Sequence, residues 1–144
     1  MDPKRVERLR WLAGLRVEKA AKQLAEHQQR IAQTRQQIDD FQQFKAMSEA
    51  PLREQRTLTV TDLKARQNRL GFLKKLESAI EASERKLDTQ ENDKVRAQQL
   101  WQAQRQKEQG FEHLVERAQH DEDVRETRAA DKAAAEQWNL TKPR

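Results

Sequence analysis

Apolar residues recur along this chain with the seven-residue period of a coiled coil. Taken as heptads with Leu73 at a and Leu76 at d, the stretch from Leu73 to Ala118 runs 46 residues without a register break. Its a and d positions hold Leu73, Leu76, Ile80, Ser83, Leu87, Gln90, Lys94, Ala97, Trp101, Gln104, Glu108, Phe111, Val115 and Ala118. Nine of these 14 are apolar, where an overall apolar content of 35% predicts about five, and the excess argues for a packed seam. A second stripe runs through Val17, Ala20, Leu24, His27, Ile31, Thr34, Ile38 and Phe41, with six of eight apolar. Upstream, Val6, Leu9, Leu12 and Leu15 continue an apolar face more loosely, with Trp11 and Gly14 nearby.

The pattern predicts an all-α fold, a single coiled-coil hairpin over 1–144. Helix one spans about 4–48, with Asp2 as N-cap and Pro3 at the first helical position. It ends around Ser48, because Pro51 disfavours helical geometry at Ala50. The connection covers about 49–61, where the alternating, β-branched Leu58-Thr59-Val60-Thr61 suits an extended strap. Helix two spans about 62–138, capped by Thr59 or Thr61, with Asp62 in its first turn. Gly71 is a point where that helix can bend.

Two stripes joined by a short connection imply antiparallel pairing. Folding about Thr57 pairs residues whose numbers total about 114, setting Phe41 against Leu73, Ile38 against Leu76, Thr34 against Ile80 and Val17 against Ala97. Arg5 then sits opposite Gln109, and everything after Gly110 is an overhang of roughly 45 Å at ~1.5 Å per residue. On this register Phe111 to Ala118 lacks intramolecular cover, and the isolated hairpin is marginally stable. Phe44 and Phe72 both fall at g, so they meet on one edge of the pair, an exposed aromatic feature suited to partner binding.

Composition supports long helices over a compact globule: 37% of residues are charged and 5% aromatic, with three glycines and three prolines. A formal net charge of +5 permits attraction to nucleic acid or acidic membrane, but 29 basic and 24 acidic residues intermixed read as helix faces turned to water. The basic N-terminal residues are interrupted by Val6, Leu9, Trp11, Leu12 and Leu15, unlike the basic region of a DNA-binding zipper. With no cysteine there is no disulfide framework, thiol nucleophile or thiolate metal site. Met1-Asp2-Pro3-Lys4-Arg5 lacks the apolar core of a signal peptide, and Trp11–Leu15 is far too short for a bilayer, so a soluble intracellular protein is expected.

The histidines His27, His113 and His120 make no metal set, and Asp121-Glu122-Asp123 lacks the glycine and alternating oxygens of a calcium loop. No catalytic triad, phosphate-binding glycine loop or paired catalytic carboxylates can be assembled. The expectation is a non-enzyme without cofactor or metal.

The chain resembles the small coiled-coil stalk proteins of type III secretion ATPases, flagellar FliJ and its injectisome counterpart YscO. The resemblance runs over most of the chain. It is carried by Leu15-Arg16-Val17-Glu18-Lys19-Ala20, by Phe72-Leu73-Lys74-Lys75-Leu76-Glu77-Ser78-Ala79-Ile80-Glu81, and by Phe111-Glu112-His113-Leu114-Val115-Glu116-Arg117. The first and third blocks lean toward the injectisome branch.

The resemblance implies an elongated antiparallel two-helix coiled coil, monomeric alone, that acts as central stalk and adaptor. Its implied partners are the hexameric export ATPase, the cytoplasmic domain of the export gate and secretion chaperones. Its implied place is the cytoplasm, peripheral at the inner membrane's cytoplasmic face and not integral to it. The flagellar gate-binding pattern maps onto Gln37, Phe41, Phe44, Phe72, Leu76 and Ala79. It departs at Phe44 and Ser48, where that pattern has tyrosine-like residues, and at Ser83, where it has histidine. Insertion of the terminal end into the ATPase ring assigns contacts to Val6, Leu9, Trp11, Phe111, Leu114, Val115 and Ala118. Two other classes stay open from the residues alone: a homo-oligomeric coiled-coil scaffold and a nucleic-acid-binding helical protein.

Overall fold

A computed structural model describes residues 2–54 and 59–141. Two α-helices account for nearly all of it: α1 (Pro3–Glu54, 52 residues) and α2 (Val60–Thr141, 82 residues). They pack antiparallel as an all-α hairpin, and the contacts divide between two compact units. One unit is Lys22–Gln99, the central unit; the other joins Met1–Ala21 to Leu100–Arg144, the terminal unit.

Both helix starts follow the local chemistry read from the sequence. The Lys4 N–H donates to Asp2 Oδ1 at 3.1 Å, so Asp2 caps α1 with Pro3 in its first turn. At α2, the Asp62 N–H donates to Thr59 Oγ1 (3.2 Å) and the Thr59 N–H donates back to Asp62 Oδ2 (3.0 Å), a reciprocal capping box. These hydrogen bonds hold the Asp62 carboxyl below its ordinary range, the Thr59 hydroxyl first and the Thr59 amide second.

The helix limits differ from the expected ones in two places. Helix α1 runs through Pro51 to Glu54 rather than ending at Ser48. A proline removes one hydrogen bond and crowds the carbonyl four residues earlier, but only one turn follows Pro51, and Ser48, Glu49, Pro51 and Leu52 are half-buried there. Val60 and Thr61 lie in the first turn of α2, because the Thr59 cap draws them into helix instead of an extended strap. Leu58 and Thr57 lie outside the described residues.

Every predicted a and d position is buried or half-buried, from Val17 to Phe41 in α1 and from Leu73 to Ala118 in α2. The pairing between stripes is shifted. Lys45 Nζ lies 3.7 Å from Glu77 Oε1, Arg35 donates to Glu91 Oε1 at 2.9 Å, and Gly14 sits under the Glu108 carboxylate. Facing layers therefore total about 121, one heptad beyond the expected register. In the central unit this sets Ser48 beside Leu73, Phe41 beside Ile80, Ile38 beside Ser83, and Thr34 beside Leu87. In the terminal unit it sets Ala20 beside Trp101, Val17 beside Gln104, and Val6 beside Val115.

The shift closes part of the expected overhang. Val6 is 0% exposed and Val115 5%, so both are interior residues of the terminal unit. A cleft lined by Pro3, Ala118, Glu122 and Arg125 places the start of α1 alongside α2 well past Gly110. Beyond Val124 every residue to Thr141 is exposed, leaving an unpaired tail of roughly 25 Å. Leu12 and Leu15 remain exposed, while Ala13 takes the seam position between Val6 and Ala20. Strict heptad spacing from Val17 selects Ala13, which the register sets level with Glu108.

Candidate partner-binding surfaces

In the central unit, the g positions of both helices line one flank. Phe44 is 53% exposed and Phe72 49%, large apolar area to leave in water. Gln37 is exposed beside them, Phe41 and Ala79 are half-buried, and Leu76 belongs to the core. The two rings share the flank but do not oppose each other. In the observed register Phe44 is level with Ala79 and Phe72 with Pro51, a stagger of about 10 Å along the helix axis. Met47, exposed and one turn beyond Phe44, extends the α1 side of this stripe toward Pro51. Its i, i+3 spacing from Phe44 was the available signal for including it.

Opposite-sign pairs occupy the other flank of the same unit. Lys45 reaches Glu77 and Glu49, keeping its ammonium at the rim while its stem covers the seam. Arg35 and Glu91 are both well exposed, so that pair contributes on the order of 0–1 kcal/mol and chiefly fixes register.

In the terminal unit, the seven residues expected at the ATPase ring separate into three groups. Val6 and Val115 are core. Leu9, Phe111, Leu114 and Ala118 are half-buried at the seam margins, and Trp11 alone is largely exposed, at 64%. Gly14 leaves a notch beside Trp11, part of an open groove of about 450 Å³ that Leu15, Glu108 and Glu112 also line. Trp101 fills the layer beside Ala20, with the Arg105 guanidinium 5.4 Å from its ring centroid, a cation–π contact. Trp138 and Leu140 lie exposed on the tail.

Polar residues interrupt the seam in several layers. Thr34 and Ser83 are buried, and Gln90 Oε1 and Gln104 Oε1 are buried without hydrogen-bond partners. Each such orphan acceptor costs about 1–3 kcal/mol, so the seam is weakest beside Ile31 and Val17. Among the histidines, His27 is half-buried in the seam, while His113 and His120 are exposed, His113 lying 3.8 Å from Glu116. No group of three or more potential metal ligands occurs among the described residues. No helix among them is long and apolar enough to cross a membrane.

Comparison with known proteins gives one result that covers nearly the whole hairpin. Neither a curated protein nor a solved structure matches the chain. A family model described as "Flagellar FliJ protein" matches residues 3–142, spanning both helices and both units. The heptad stripes, the hairpin and that match agree: the chain belongs to the FliJ family, stalk-like components of type III and flagellar protein export.

Proposed function

We propose that the chain is the central stalk and adaptor of a type III export ATPase, linking the hexameric ring to the cytoplasmic domain of the export gate. The family match over residues 3–142 carries this reading. In the proposed mechanism the terminal unit enters the ring. Trp11 supplies its principal exposed anchor there, and Leu9, Phe111, Leu114 and Ala118 supply the margins. Val6 and Val115 serve that contact indirectly, by holding the helices together. The staggered stripe of Phe44 and Phe72, with Gln37, Phe41 and Ala79 around it and Leu76 beneath, engages the gate. Secretion chaperones are further partners, and the protein works in the cytoplasm at the inner membrane's cytoplasmic face, as an elongated monomer when alone. The Leu15–Ala20 and Phe111–Arg117 blocks favour the injectisome branch.

A few aromatic anchors dominate the energy of contacts of this kind. Phe44→Ala with Phe72→Ala should therefore abolish gate binding in a pulldown while leaving the far-ultraviolet circular dichroism intact. Undiminished gate capture by the double variant would remove that assignment. For the ring, truncation after Gly110 is a poor test, because it also uncovers Val6. Trp11→Ala leaves the Val6–Val115 layer in place and should lower stimulation of the ATPase.

A further inference from the structure

The first turns of α2 carry an apolar and basic surface that neither proposed contact uses. In the register fixed by the Lys45–Glu77 pair, the end of α1 at Glu54 is level with about residue 67 of α2. Among the described residues, no helix lies level with the preceding turns from Val60. Val60 and Leu63 are exposed there, one turn apart, and Leu70, two turns after Leu63 on the same side of the helix and level with the last turn of α1, is exposed as well.

Positive charge borders this stripe. Residues 60–75 contain Lys64, Arg66, Arg69, Lys74 and Lys75 against one acidic residue, Asp62: five less one leaves +4 of the chain's formal +5. Asp62 is committed to the Thr59 cap. None of the five basic side chains takes part in an ion pair among the described residues.

From this juxtaposition we propose that the start of α2 docks on an anionic phospholipid surface, with Val60, Leu63 and Leu70 inserted at the headgroup boundary and the five basic residues against the lipid phosphates. An amphipathic helical segment with leucines on one side and Lys/Arg along its borders has the composition of an interfacial element. Each basic residue near an anionic leaflet adds a favourable, salt-screened increment. Nucleic acid would engage the cations but give three exposed aliphatic side chains nothing. A second copy of the same segment would be repelled by its own charge. The inference stands apart from the export reading, since it uses neither the Phe44–Phe72 stripe nor the terminal unit.

Co-sedimentation of the full chain with vesicles tests it. Binding to phosphatidylglycerol-rich vesicles should be about tenfold or more tighter than to phosphatidylcholine alone, and should weaken as salt rises. Leu63→Ser with Leu70→Ser should weaken it by about tenfold with helicity retained, and Arg66→Glu with Arg69→Glu should abolish it. Absence of pelleting, equal binding to both vesicle types, or full binding by the leucine variant would overturn the proposal. So would equal affinity for soluble polyglutamate or for a DNA duplex, either of which would assign the surface to an acidic macromolecule instead. Retained gate capture by the leucine variant would keep a failure here separate from a failure of the stalk reading.

Discussion

Replacing Val115 by alanine removes two methyl groups from a side chain that is 5% exposed and lies level with the fully buried Val6. At about 0.8 kcal/mol per buried carbon the loss is about 1.6 kcal/mol, and a residual cavity adds to it. Alanine is the better helix former by roughly 0.5 kcal/mol, which offsets part of that loss. The net expectation is a destabilisation of about 1 kcal/mol. Val95→Ala supplies the control: Val95 is half exposed, so there the propensity gain should dominate and the change should be neutral or slightly stabilising.

Urea denaturation followed at 222 nm on both variants measures the difference, which should come to about 1.5 kcal/mol. A cycle with Val6→Ala should show coupling of about 0.5 kcal/mol or more, because side chains in contact are not additive. If Val115→Ala matches Val95→Ala, and its effect simply adds to that of Val6→Ala, then Val115 belongs to an uncovered overhang. The register argued from Lys45, Arg35 and Gly14 would then fail.

Three further perturbations probe the seam and its ends. Gln90→Leu and Gln104→Leu each replace a buried, unpartnered carbonyl with apolar surface and should raise stability by about 1–2 kcal/mol in the same denaturation assay. Gly71→Ala and Gly110→Ala meet open space and should stabilise by up to about 1 kcal/mol, whereas Gly14→Ala brings a Cβ within 3.3 Å of Glu108 Oε2 and should gain less, read as the difference in melting temperature. The Asp62 carboxyl is held below its ordinary value by Thr59, so the cap's contribution is fully present above an unfolded-state pKa of about 3.9. It should be lost as the pH falls through the lower folded value; amide exchange at the start of α2 should accelerate over that acidic window, and Asp62→Asn should remove the dependence.

The seam itself was legible from the sequence because a heptad stripe marks which side of each helix is buried. Even the polar members Ser83, Gln90 and Thr34 fall where that periodicity puts them. Periodicity does not say which heptad faces which. Sliding one stripe along the other by seven residues again places a and d positions against a and d positions, so hydrophobic pattern alone cannot separate the two registers. The two registers part at the chain reversal, because Pro51 sits inside the final turn of α1 instead of ending it.

An α1 ending at Ser48 would leave Phe111–Ala118 uncovered, whereas the uncovered segment begins after Val124. The aromatic flank shows the same division. Heptad letters placed Phe44 and Phe72 on one side of the pair, while their stagger followed only from the register. Ala13, not Leu12 or Leu15, takes the seam position; a small seam residue carries little hydrophobic signal, although its spacing from Val17 fits the heptad.

The stalk-and-adaptor role is tested most directly by mixing the purified full-length chain with the export ATPase of its own secretion system and measuring hexamer fraction and ATP turnover together. The account predicts co-elution with the ring, a larger hexamer fraction and faster turnover, all diminished by Trp11→Ala. A chain that neither co-elutes with the ATPase nor changes its turnover at saturating concentration would contradict it.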